Sequence, residues 1–165
     1  MRYFLDTEYN GFGGQLISIA LVPEFGDQEF YATFALPEKV HPWVQDHVLP
    51  YLLTVPPGMH EQMTVLDAAE EIARFLAHDQ RPVVVADWPE DIGHFCSLLT
   101  TGPGEIAAVG SIEFLMLRTP GFSTAANSRS GGAPCTRSHT CVASTNWHHE
   151  ANTRSSWGGQ FCASS

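Results

Sequence analysis

The stretch Arg2-Tyr3-Phe4-Leu5-Asp6-Thr7-Glu8-Tyr9-Asn10-Gly11-Phe12-Gly13-Gly14-Gln15-Leu16-Ile17-Ser18 decides how this chain is read. Tyr3 to Asp6 has the composition of a short strand, Gly11-Phe12-Gly13-Gly14 reads as a turn, and Gln15 to Val22 is apolar enough for a buried strand. Residues i and i+2 of a strand point to the same face, so Asp6 and Glu8 project together near the glycine-rich turn. Adjacent carboxylates repel unless a cation or a shared proton compensates, and oxygen donors favour hard divalent ions such as Mg²⁺ or Mn²⁺. The pattern D-x-E is short, and spacing alone favours two solvated surface acids over a metal site.

Working outward, Pro23 to Asp27 is a second turn and Glu29 to Leu36 a third strand, which predicts an antiparallel meander. Two helices follow. Trp43 to Leu53 is interrupted by Pro50, whereas Thr64 to His78 is cleaner, with Leu66, Ala69, Ile72, Ala73 and Leu76 on one face. Thr64-Val65-Leu66-Asp67 resembles a capping box in which Asp replaces the usual Glu. Pro82-Val83-Val84-Val85-Ala86-Asp87 is a β-branched run typical of a strand buried on both faces. Pro89 suits the first position of a helix that continues through Ile92, Phe95, Cys96 and Leu99, and Glu105 to Leu117 reads as a further strand region. The order of elements predicts an α/β fold, a sheet of mixed direction flanked by helices.

Composition narrows the function classes. The length of 165 residues suits about one domain, and 44% apolar residues is ordinary for a globular protein. Eighteen acidic residues face eight Lys plus Arg, and Lys39 is the only lysine. Phosphate contacts dominate nucleic-acid affinity, so the missing basic patch argues against tight binding to long duplexes. It leaves room for an enzyme whose divalent ions supply the charge at a phosphate. No apolar run is long enough for a membrane span, and Asp6 comes too early for a secretory signal, so a cytoplasmic protein with free thiols is expected.

Past Arg118 the character changes. Residues 119–165 contain no Leu, Ile or Met, one valine and one acid, Glu150. Such a segment buries too little apolar surface to offset its ordering entropy. The domain reading is therefore 1–118 for the folded unit and 119–165 for an irregular, low-complexity tail.

A second group of acids lies in Asp87-Trp88-Pro89-Glu90-Asp91-Ile92. Asp87 ends a buried strand, where open sheets place ligand sites, and Asp91 falls in the first turn of a helix. Acids there also serve the helix dipole and cap free N–H groups, an ordinary structural role. The opening stretch, together with Val84-Val85-Ala86-Asp87-Trp88-Pro89-Glu90-Asp91-Ile92, resembles bacterial and phage exoribonucleases related to ribonuclease T. These belong to the DEDD superfamily and have a ribonuclease H-like fold. The match covers roughly the first 120 residues. It implies that Asp6, Glu8 and Asp91 are catalytic carboxylates and metal ligands, with Asp87 the alternative to Asp91. It also places Thr7, Tyr9, Asn10 and Phe12 against the terminal nucleotide, where Phe12 or Tyr9 would stack on a base. The implied chemistry is 3′-5′ hydrolysis of short single-stranded RNA with two Mg²⁺ or Mn²⁺ ions, and the implied assembly is a homodimer.

The chain departs from that family in one respect. A third motif, H-x-A-L-x-D-A, should supply a general base and a fourth ligand, yet no Asp follows Asp91. His139, His148, His149 and Glu150 lie in the tail without the expected pattern. A diverged tail and a tail translated in a shifted reading frame both account for this, and re-reading the coding DNA separates them. Cys135, His139, Cys141 and Cys162 lack the paired C-x₂-C spacing of a zinc site. His94 reads as a surface or core residue rather than a base. The alternative function is a ribonuclease H-like nucleic-acid-binding or interaction module without full catalytic machinery.

Overall fold

The computed structural model describes residues 1–25, 28–54 and 61–117. The tail, with Cys135, His139, Cys141, His148, His149, Glu150 and Cys162, lies outside these residues, as does the boundary at 118.

Strands β1 (Arg2–Tyr9), β2 (Leu16–Pro23) and β3 (Phe30–Thr33) form the expected meander. β1 pairs antiparallel with β2, and β2 antiparallel with β3. β1 runs to Tyr9 rather than stopping at Asp6, because Glu8 and Tyr9 still pair with Ser18 and Leu16 across an irregularity in register. Asp6 and Glu8 therefore sit within a strand. β3 is shorter than expected, ending at Thr33.

The region after β3 divides at its proline. Helix α1 (Pro42–His47) is followed by a 3-10 turn over Leu49–Tyr51. Two residues, β4 (Glu61–Gln62), then add parallel to β3. Helix α2 (Val65–Leu76) is capped as the sequence indicated, with the Asp67 amide donating to Thr64 Oγ1 at 3.1 Å. The Asp67 carboxylate accepts from the Thr64 hydroxyl at 2.7 Å rather than from a backbone amide. The buried stripe of α2 is Ala68, Ala69, Ile72, Ala73 and Leu76. Leu66, expected on that face, is exposed, since it lies at the rim of the stripe in the first turn.

β5 (Val83–Ala86) lies parallel to β1, and β8 (Glu113–Met116) parallel to β5. Helix α3 (Pro89–Leu99) connects β5 to a small hairpin of β6 (Thr100–Gly102) and β7 (Glu105–Ile106). The strand expected over 105–117 is therefore two separate strands, because the chain between them, residues 107–112, runs irregularly. The six-stranded sheet has the order β4-β3-β2-β1-β5-β8. This is the α/β fold the sequence predicts, a mixed ribonuclease H-like sheet flanked by helices.

One face of the sheet holds the main core. Tyr3, Leu5, Ile19, Leu21, Val84 and Ala86 pack against Ile72 and Leu76 of α2 and Phe95 and Leu98 of α3. Burying each large side chain of this kind contributes roughly 1.5–3 kcal/mol. A smaller cluster joins Ile17 to Val44 and Val48, and Tyr31 donates its hydroxyl to the Leu52 carbonyl at 2.8 Å. Among the described residues, no helix is long and apolar enough to cross a membrane.

Candidate functional site

The site is built on β1, the strand that joins the meander to the parallel half of the sheet. Strand alternation sends Tyr3, Leu5 and Thr7 into the helix-covered core and Phe4, Asp6 and Glu8 to the other face. Asp6 and Glu8 are 7% and 6% exposed. Ala20 and Ser18 stand opposite them on β2, with Tyr31 and Thr33 beyond on β3. Ser18 is buried, and its Oγ has no hydrogen-bond partner among the described residues. A patch with this much buried oxygen on an otherwise apolar sheet is expensive unless other groups compensate it.

Thr7 points the opposite way. Its hydroxyl donates to Asp91 Oδ1 at 2.8 Å, and Asp91, in the first turn of α3, is 0% exposed. Thr7, expected against the nucleotide, is thus turned inward and engaged with α3. Asp87, the alternative to Asp91, is exposed just after β5. The described residues contain no group of three or more His, Cys, Asp and Glu side chains arranged to hold a metal ion. The pair formed by Asp6 and Glu8 nonetheless supplies the hard oxygen donors that suit Mg²⁺, an ion commonly held by one or two carboxylates plus waters and substrate phosphates.

The glycine-rich turn continues directly from β1. Gly11 and Gly13 take left-handed conformations (φ 75° and 66°), which a side chain would strain. The Asn10 amide donates to the Gln15 carbonyl, and the Gly14 amide to the Gly11 carbonyl, both at 2.9 Å. The Asn10 side chain bonds the other way, donating to the Lys39 carbonyl at 2.8 Å and accepting from the His41 amide at 2.7 Å. Asn10 therefore serves the turn's attachment to the segment before α1. Phe12, at the tip, is 95% exposed.

Tyr9 is half-buried between α3 and the turn. Its hydroxyl donates to Glu90 Oε2 at 3.0 Å, and its ring lies 4.7 Å from that of His94. The same Glu90 oxygen accepts from Trp88 Nε1 at 3.1 Å, while Oε1 accepts from the Gly13 amide at 3.2 Å. Burial opposes ionisation of Glu90, but the bonds from Trp88, Gly13 and Tyr9, with His94 nearby, outweigh it and hold its pKa below the usual glutamate value. Burial likewise lowers the His94 pKa, with Glu90 pulling the other way. Sequence reasoning assigned Glu90 only a helix-dipole role. Two of its three partners are 77 and 81 residues away, so no local signal marked it as a meeting point. A recess of about 300 Å³ between the end of α2 and residues 108–112 shares no residue with this site.

A mixed ribonuclease H-like sheet whose central strand carries a buried carboxylate pair, beside a glycine-rich turn, defines the class of architecture. The chain is 50% identical over 56 residues to a 3′-5′ exoribonuclease of Mycobacterium tuberculosis, matched equally in strains CDC 1551 and H37Rv. The aligned region is 32% of this chain and 33% of the relative, so the chain spans about a third of the length of the curated relatives it matches. No family model matches the chain.

Proposed function

We propose that this protein is a divalent-metal-dependent 3′-5′ exoribonuclease acting on short single-stranded RNA. The observation that carries the proposal is the pair Asp6 and Glu8, buried side by side on the central strand of a ribonuclease H-like sheet. The half-identity to a mycobacterial exoribonuclease over 56 residues supports the same reading. In this proposal Asp6 and Glu8 hold the ion, and the carboxylate of the second group is Asp91, which Thr7 holds on the opposite side of β1, with the exposed Asp87 the alternative. Bound Mg²⁺ or Mn²⁺ would supply positive charge at the scissile phosphate, favouring ionisation of an attacking water and departure of the 3′-oxygen. The chain's own residues would position the RNA end: Phe12 offers an exposed ring for an unpaired base, and the glycine turn brings backbone close to the nucleotide. A homodimer belongs to the same proposal.

The test is shortening of a 5′-labelled oligoribonucleotide with Mg²⁺ or Mn²⁺, run beside Asp6→Ala. Stepwise loss of nucleotides from the 3′ end, abolished by the substitution and by a chelator, is the expected result. No shortening, or shortening unaffected by Asp6→Ala, would reject catalysis at this site.

A second reading, a ribonuclease H-like nucleic-acid-binding or interaction module without catalysis, draws on two observations. The described residues hold no group of three metal-ligating side chains, and the sequence offers no Asp after Asp91. Metal-independent oligonucleotide binding without degradation would favour it.

A further inference from the structure

Three donors from three places converge on the carboxylate of Glu90. They are the Tyr9 hydroxyl at the end of β1, the Trp88 indole before α3, and the Gly13 amide at the tip of the turn. The turn is held on its other flank by Asn10, bonded to Lys39 and His41. Phe12 lies between these two attachments, 95% exposed. Gly11, Gly13 and Gly14 surround it, and glycine segments sample wide backbone space unless something restrains them.

We infer that Glu90 is a positioning residue: it clamps the glycine turn against α3 so that Phe12 is presented, already ordered, to an unpaired base at the RNA end. The inference rests on the exoribonuclease reading and adds to it the group that sets the geometry of nucleotide capture. An aromatic ring with no packing partner binds a base weakly if the chain beneath it must be ordered first, because each immobilised segment subtracts from affinity. Here that ordering is built into the folded protein, since Glu90 fixes Gly13 on one side and Asn10 fixes the other. Glu90 also precedes Asp91, which Thr7 holds in the core, so the same turn of α3 that fixes the aromatic tip is itself anchored to β1.

Glu90→Gln tests this, because glutamine keeps the shape but has one acceptor oxygen for three donors. Steady-state degradation of a short oligoribonucleotide should show KM raised about fivefold and kcat changed less than about twofold, the scale of one or two weakened hydrogen bonds. Phe12→Ala should raise KM similarly, and the double variant should add little, because the two residues act through one contact. If Glu90→Gln does not fold, Trp88→Phe removes a single donor and should raise KM to a smaller extent. Unchanged KM, additive effects in the double variant, or kcat falling together with thermal stability would each overturn the positioning role. Wild-type protein without Asp6-dependent degradation would instead overturn the nuclease reading and the role of Glu90 with it.

Discussion

Thr7 Oγ1 donates to Asp91 Oδ1 at 2.8 Å inside the core, joining the central strand to the first turn of α3. Both residues are buried, so the hydroxyl serves a carboxylate that solvent does not reach. The threonine between Asp6 and Glu8 thus faces away from them and anchors the helix that carries the second group of acids.

Thr7→Val keeps the shape and removes the donor. A buried acceptor deprived of a hydrogen bond costs about 1–3 kcal/mol, so the urea midpoint should fall by that equivalent. Thr7→Ser, which keeps the hydroxyl, should be milder. Equal midpoints for wild type and the valine variant would show that the bond adds no net stability.

Metal binding should be visible without turnover. A ligand at tenfold its dissociation constant stabilises the folded state by about 1.4 kcal/mol, so Mg²⁺ or Mn²⁺ should raise the melting temperature and a chelator should reverse the rise. Asp6→Asn and Glu8→Gln should each abolish the response. A shift that survives both substitutions places the ion elsewhere.

Two glycines predict opposite signs. A Cβ on Gly14 would stand 2.1 Å from the Asn10 carbonyl oxygen, a backbone atom that cannot step aside alone. Gly14→Ala should therefore destabilise by about 1–3 kcal/mol or more, as overpacking does. Gly93 lies within α3 with nothing within 4 Å of its Cβ position. Gly93→Ala should stabilise by about 0.5–1 kcal/mol through helix propensity, and thermal melts of the pair check both.

Partial burial of its sulfur raises the pKa of the Cys96 thiol, although the residue as a whole is exposed. At neutral pH less of it is thiolate than in a free cysteine, so alkylation by iodoacetamide should be slower than for a model peptide. The difference should shrink as pH rises through the shifted value. Mass spectrometry of the peptide containing Cys96 isolates this site, and alkylation as fast as in the peptide would refute the raised pKa.

Much of the frame was legible along the chain because local rules govern it. Thr64 caps α2 through a contact three residues away, Pro89 starts α3, and the run Val83 to Ala86 forms a buried strand. Elements made by distant partners were not legible. β4 is two residues that exist only by pairing with Ala32 and Thr33, and β7, read as the start of one long strand, instead pairs back with β6 across the turn at Gly104.

The candidate site divides along the same line. Alternation along β1 placed Asp6 and Glu8 on one face from sequence, because the strand period of two is local geometry. Their burial, the inward turn of Thr7 toward Asp91, and the contrast between a buried Asp91 and an exposed Asp87 came only with the packing of α3 on the sheet. Glu90 shows the limit most clearly. A carboxylate in a first helical turn is legible as a favourable charge near a dipole, but its three donors meet there only once β1, the glycine turn and α3 have folded together.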